Sequence, residues 1–359
     1  MMQIFWRVTS KLLFLLFMLG TVALGFAYMY LFKSSLNSER YAEPKLIKIH
    51  RGMSFMQIAN ELQKEGVIKH TLPLQIVARF MPELTNIKPG RYYIPSGMTS
   101  AELLRFMYTR KQDEVKVRIP EVSRGPQVAQ IIGQSLDTDS ATFMKAFSDS
   151  ALLKELDVDA PNFEGYFLAN TYTLPWSMTA EDVIRYFVKE LRKVFNDSLR
   201  ELARKRGLSE VEVLTLASIV EAETGLASER PLVAGVYLNR LEKGMLLQAD
   251  PTFIYAAILD NDYDGNPNNP KHRKRDSPYN TYLYRGLPPG PIGNPTKESI
   301  LAVLNPAKTK YLFFVATGYG GHRFAETAEQ HAVNAALYYA RRKELRDSLK
   351  AAAQQSLEE

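Results

Sequence analysis

Two glutamates, Glu221 and Glu223, close an apolar run and are followed at once by Thr224 and Gly225, within LTLASIVEAETGLASERPLVAGVYLNR at residues 214–240. Carboxylates at the end of a buried helix are poor anions. Desolvation, the negative end of the helix dipole and a like-charged neighbour each raise the pKa and hold one carboxyl protonated near neutrality. A protonated carboxyl in a cleft wall is a general acid. The helix that must carry these residues is written around them. Ser209 and Glu212, three residues apart, form a capping box, and Val211, Val213, Leu214, Leu216, Ile219 and Val220 supply apolar positions. Gly225 is the expected stop. At about 100° per residue Glu223 falls over Leu216, Ile219 and Val220, while Glu221 lies toward the edge beside Ala217 and Ser218. Glu223 is therefore the expected buried acid. The plain alternative is a frayed helix end with both glutamates in water.

The 359 residues, 46% hydrophobic and 23% charged, leave room for two or three domains with ordinary cores. Residues 12–32, LLFLLFMLGTVALGFAYMYLF, carry no charge and are long enough to span a bilayer as one helix. The run continues past Tyr30, beyond the apolar stretch of a cleavable signal peptide, so an uncleaved anchor is expected. Arg7 and Lys11 precede it, whereas Lys33 and Arg40 are mixed with Glu39 and Glu43, which places the N-terminus in the cytoplasm and the rest outside. The absence of cysteine excludes disulfides, thiolate metal sites and a cysteine nucleophile. A net charge of +6 favours an anionic surface, lipid or acidic polymer. No nucleic-acid-binding motif is present, so nucleic acid is not an expected partner.

The pattern predicts an α+β chain. A tail at residues 1–11 leads into the apolar helix at 12–32 and a polar linker at 33–44. A module at 45–114 follows, reading strand, helix, strand, helix, with helices at 54–66 and 99–108. A larger mixed α/β domain occupies 115–345, its core at 205–335, and a polar tail ends the chain at 346–359. Within that domain the spacing predicts one amphipathic helix over 179–203 and a hairpin joining 311–316 to 322–324.

SIVEAET, ASER, LNR, LQADPT, YNTY, GLPPGPI and NP-x-K-x-S-I, in that order, resemble the endolytic murein transglycosylases of the MltG/YceG-like family, over nearly the whole chain. IHRGMSFMQIANEL and GRYYI are similar to that family's LysM-like subdomain. The resemblance implies a single-pass enzyme of the bacterial cytoplasmic membrane. It would cut MurNAc–GlcNAc bonds inside nascent peptidoglycan strands, leave 1,6-anhydroMurNAc ends and so terminate elongation, beside peptidoglycan synthases. No cofactor and no metal are implied. The family's catalytic glutamate falls on Glu223, and Thr224 stands where many lytic transglycosylases carry a serine. Glu223 would protonate the departing glycosidic oxygen and then, as carboxylate, take the proton of the muramic C6 hydroxyl.

Other matched positions carry two readings each. Gln248, Asp250 and Thr252 can orient sugar hydroxyls or amides, or simply form a turn at Pro251. Tyr279, Asn280, Thr281 and Tyr282 suit a pyranose ring, or packing. Asn239 and Arg240 can position Glu223 or an N-acetyl group, or lie on a helix surface. Residues 286–291 are the expected rigid cleft wall. Glu164 matches a family pattern, but Ala169 and Asn170 stand where proline and aspartate are expected, so no role carries over to Asn170. His322 and His331 read as structural histidines, and the basic run at 272–275 as a solvated insertion. Two other functions remain open: a hydrolysing muramidase using Asp250 or Glu221 as second carboxylate, and a noncatalytic peptidoglycan-binding envelope scaffold. A pyridoxal-phosphate enzyme does not fit an exported domain without a Schiff-base lysine setting.

Overall fold

The computed structural model describes residues 2–111 and 113–358, with side chains for 11–111 and 113–349. The chain divides into two compact units, one holding the described residues up to Val115 together with Thr173–Met178, the other Lys116–Tyr172 and Thr179 onward.

The first unit begins with helix α1, Met2–Tyr28, which passes directly into a π-helical turn, Met29–Lys33. Residues Lys11–Lys33, with mean hydropathy 2.2, are long and apolar enough to cross a membrane. The end of this helix is built into the module that follows. Leu31 is buried in the module's core, with Tyr30 and Phe32 packed against it. Asn37, only 2% exposed, donates its Nδ2 to the His70 carbonyl and accepts the His70 N–H. Ser38 Oγ accepts the Gly97 N–H. Strands β1, Lys45–Ile49, and β2, Gly90–Ile94, pair antiparallel from Lys45 opposite Ile94 to Ile49 opposite Gly90. Ile47, Ile49, Tyr92 and Ile94 point inward by simple alternation. Helix α2, Phe55–Lys64, starts at a Ser54–Gln57 capping box. Helix α3, Thr71–Phe80, buries Leu74, Val77 and Ala78, and α4, Ser100–Thr109, starts at a Thr99–Glu102 capping box. Helix α3 lies outside the strand, helix, strand, helix pattern expected of this module; its Pro73 falls in the first turn, where N–H groups lack partners anyway and proline is tolerated.

The second unit is mainly helical. Strand β3, Glu114–Ile119, leads to α5, Gly125–Ser135, α6, Ser140–Phe147, and α7, Ser150–Glu155. Strand β4, Asn170–Pro175, which like β3 has residues in both units, precedes α8, Ala180–Val194, and α9, Asp197–Lys205. The single helix expected over 179–203 is thus two. Phe195 leaves the helix and is buried, while the Asn196 side chain accepts the Leu199 N–H and caps α9. Helices α10, Glu210–Glu223, α11, Arg230–Glu242, and α12, Asp250–Leu259, follow. Short α13, Pro270–Arg273, and α14, Lys297–Leu304, lead to a hairpin. Its strands β5, Phe313–Ala316, and β6, His322–Ala325, pair antiparallel as expected, and α15, Ala328–Glu358, ends the fold.

Helix α10 is the centre of this unit, packed by α9, α11, α12 and α14. Every residue from Val213 to Glu221 is buried. A helix apolar around its circumference has no single inner face, so the angular argument that ranked Glu223 as more buried than Glu221 does not hold. Glu221 is the deeper of the two, 5% exposed, and Glu223 is half-buried. The helix stops just before Gly225 as expected, with Glu223 in its last turn; Thr224 is its cap, in extended backbone at φ −143° and ψ 130°.

Candidate active site

A cavity of about 290 Å³ lies at the C-terminal end of α10. Glu223, Tyr237, Arg240, Leu247, Gln248, Asp250, Tyr282, His322 and the strand Phe314–Ala316 line it. The Tyr237 hydroxyl donates to Glu223 Oε1 at 2.7 Å. Burial and then the neighbouring Glu223 charge raise the Tyr237 pKa well above its usual value, so that hydroxyl stays a donor. The Glu223 carboxyl is pushed up to about 7, first by desolvation and then by the negative charge of Asp250, against the pull of Tyr237 and Arg240. The perturbing acid is therefore Asp250, not the neighbouring Glu221 that the sequence pointed to.

Glu221 has no capacity left for substrate. Its Oε1 accepts Arg230 Nη2 at 2.7 Å, and its Oε2 accepts the Thr296 N–H, the Thr296 hydroxyl and the Ser299 hydroxyl at 2.7 Å. It ties α10 to α11 and α14. Arg240 serves two surfaces: its Nε donates to Leu312 O and its Nη1 to Leu246 O and Leu247 O, while its guanidinium also borders the cavity. Asn239 faces away and donates to Thr309 O and Tyr311 O, holding the entry to β5.

The LQADPT and YNTY segments meet, as two separate sequence motifs could not have shown. The Gln248 N–H donates to Thr281 O, and Gln248 takes a left-handed φ of 48°. The Ala249 N–H donates to Thr281 Oγ1, and Thr252 and Thr281 share a hydroxyl contact of 2.9 Å. Both threonines are buried and structural. Asn280 is buried too, donating to Arg273 O and Arg275 O. The Tyr282 hydroxyl donates to Asp250 Oδ1 at 2.5 Å, and both residues line the cavity. Tyr279 packs at a tilt against Tyr255, ring centres 4.9 Å apart.

Glu164 is outside the cavity lining. It accepts the Gly125 N–H at 3.0 Å, and burial pushes its carboxyl up to about 7. Residues 286–291 do not line the cavity either. They brace the Glu164 turn instead: a Cβ on Gly165, at φ +82°, would stand 2.5 Å from Pro291. The basic run at 272–275 is only partly the solvated insertion expected: Arg273 and Lys274 are exposed, the other two residues are not. His272 is fully buried and meets Asp264 at 2.8 Å, Arg275 pairs with Asp260 and Asp262, and Arg273 lies 3.6 Å from Asp250 with its guanidinium over Tyr282. His331 stacks on Phe313, while His322 opens into the cavity.

Sequence reasoning missed Tyr237, Phe314, Glu229 and Arg273. Tyr237 sits on α11 and Phe314 on β5, so no spacing along the chain pairs either with Glu223. Glu229, inside the noted ASER motif, was the one legible signal. Among the described residues no group of three or more metal-ligating side chains forms a metal site.

A mixed α/β chain with an N-terminal apolar helix, and a polar cleft built around a protonatable carboxyl at a helix end, is the class that fold and site define. The chain belongs to the YceG-like family, whose model matches residues 47–337. It is similar to the endolytic murein transglycosylase of Streptococcus pneumoniae (strain R6), 30% identical over 346 residues, 87% of this chain and 61% of that protein. It therefore spans about three fifths of the pneumococcal relative. It is also similar to the endolytic murein transglycosylase of Bacillus subtilis (strain 168), 28% identical over 309 residues, 79% of this chain and 82% of that protein. The crystal structure of a YceG-like protein from Listeria monocytogenes superposes with a TM-score of 0.54 at 30% identity, covering 81% of this chain and 98% of the other.

Proposed function

We propose that the chain is a membrane-anchored lytic transglycosylase that cuts MurNAc–GlcNAc bonds within peptidoglycan strands and leaves 1,6-anhydroMurNAc ends. The observation that carries this reading is Glu223, a carboxyl with a pKa of about 7 in the wall of a polar cavity. Half of such groups hold a proton at neutral pH and can pass it to a leaving oxygen. Tyr237 occupies Oε1, which leaves Oε2 to serve the glycosidic bond. As the C1–O bond breaks, the proton passes to the departing oxygen and an oxocarbenium-like sugar forms. The muramic C6 hydroxyl then closes on C1, and in the single-carboxylate scheme its proton returns to Glu223. Gln248, Arg240 and the Asp250–Tyr282 pair supply donors and acceptors for the sugar substituents. The apolar helix anchors the enzyme with its N-terminus in the cytoplasm, the small module serves as a LysM-like glycan holder, and cutting of nascent strands beside synthases ends their growth.

A hydrolysing muramidase is the second reading, and Asp250 favours it by lining the same cavity as Glu223. Glu221, with both oxygens engaged, does not. Full-length protein in detergent, incubated with uncrosslinked glycan strands and followed by mass spectrometry, separates the readings. Internal cuts with 1,6-anhydro ends, reduced about 10²- to 10⁴-fold in Glu223→Gln, are expected. Reducing ends would identify a hydrolase, and uncut strands a binding protein.

A further inference from the structure

In the cavity lining, an imidazole is held in one orientation. His322 opens β6, its backbone N–H donates to Glu229 Oε1 at 2.7 Å, and its Nδ1 lies 2.7 Å from Glu229 Oε2. The same Oε2 accepts the Thr224 hydroxyl at 3.1 Å. Burial pushes the Glu229 carboxyl up, but the His322 and Thr224 bonds outweigh it and hold its pKa below the usual value, so Glu229 is an anion. The approach depends on Gly321: its φ is +77°, and a Cβ there would fall 2.5 Å from Glu229 Oε1. A carboxylate on Nδ1 keeps the proton on that nitrogen and leaves Nε2 as a lone-pair acceptor. The Phe314 ring stands edge-on to both His322 and Tyr237, at 5.3 Å and 5.8 Å. Contacts thus run from Glu223 through Tyr237, Phe314, His322 and Glu229 to Thr224, the residue bonded to Glu223. Four members of that ring, Glu223, Tyr237, Phe314 and His322, line the cavity, which places an oriented base and a general acid in the same space.

We propose that His322, oriented by Glu229, is the base of the ring-closing step. The proposal rests on the lytic reading above and divides between two residues the proton transfers that reading gives to Glu223 alone. The Glu223 proton goes to the departing oxygen, which keeps the electron pair of the broken C1–O bond. The muramic C6 oxygen forms the new bond to C1, and its proton goes to His322 Nε2. The imidazolium then returns a proton to the Glu223 carboxylate, so the cycle closes without any other reactant.

The test uses full-length protein and uncrosslinked glycan strands. His322→Gln is expected to lower kcat by about 10²- to 10⁴-fold, as loss of a general base does, with KM within about threefold. Its residual products shift from anhydro to reducing ends, because water replaces the slowed C6 hydroxyl. Imidazole added to His322→Gly restores turnover with anhydro ends, which a purely structural histidine would not show. Should His322→Gln unfold, Glu229→Gln keeps the ring but loses its orientation, and the same kcat loss and product shift are expected at smaller size. Wild-type kcat in a folded His322→Gln, or a loss confined to KM, would overturn the proposal while leaving the lytic reading intact. Reducing ends from the wild type would remove the ring-closing step and both claims with it.

Discussion

Two acids two residues apart, Glu221 and Glu223, sit in opposite environments because of what their oxygens meet. Glu221 is paired with Arg230 and three donors from α14, and breaking a buried pair by removing one partner costs about 3–5 kcal/mol. Glu221→Ala is therefore expected to lower stability by about that amount in urea unfolding, whereas Glu223→Gln should not. The Glu223 pKa is raised from 4.5 to about 7, so the folded state holds the extra proton between those values. Its contribution to stability is present at low pH and is lost as pH rises through about 7. Glu223→Gln, which never ionises, should gain Tm relative to the wild type on going from pH 5 to pH 8; a constant difference would contradict the raised pKa. Cleavage that needs the protonated acid should likewise decline as pH passes about 7.

Helices and strands set these environments. Helix α10 brings Glu223 to the cavity wall, α11 brings Tyr237 and Arg240, and the β5–β6 hairpin brings Phe314 and His322. At the other end of the chain, the apolar helix does not stop at a free linker. Leu31 is in the module's core, and Asn37 is bonded to His70. A soluble fragment starting at residue 40 loses both, so it should melt below one starting at residue 29. Leu31→Ala in the full chain should cost about 2–5 kcal/mol, read by thermal unfolding. Equal melting of the two fragments would show that this packing contributes nothing.

For the whole molecule, the apolar helix and its flanking charges set the expected orientation, with the larger unit outside the cytoplasm. Because the chain has no cysteine, a single Lys343→Cys variant reports topology cleanly. An impermeant thiol reagent should label it on intact spheroplasts; labelling only after lysis would reverse the orientation.

What the sequence alone determined is what local chemistry controls. The capping box at Ser209 and Glu212 and the cap at Thr99 start helices where the sequence places them. Strand alternation marked β1, the hairpin came from its glycine turn, and the uncharged run marked the apolar helix. Glu223 as the residue to watch was also legible. Only the tertiary structure decided which acid is saturated, because Arg230, Thr296 and Ser299 reach Glu221 from other helices. It alone brought Thr252 against Thr281, Arg273 toward Asp250 and Glu229 onto His322. Those contacts join residues far apart in the chain, and periodicity measures only the face a side chain takes on its own element. Around α10, where neighbours bury every side, that face ceases to exist, and the environment of each carboxyl depends on which donors the packed helices supply.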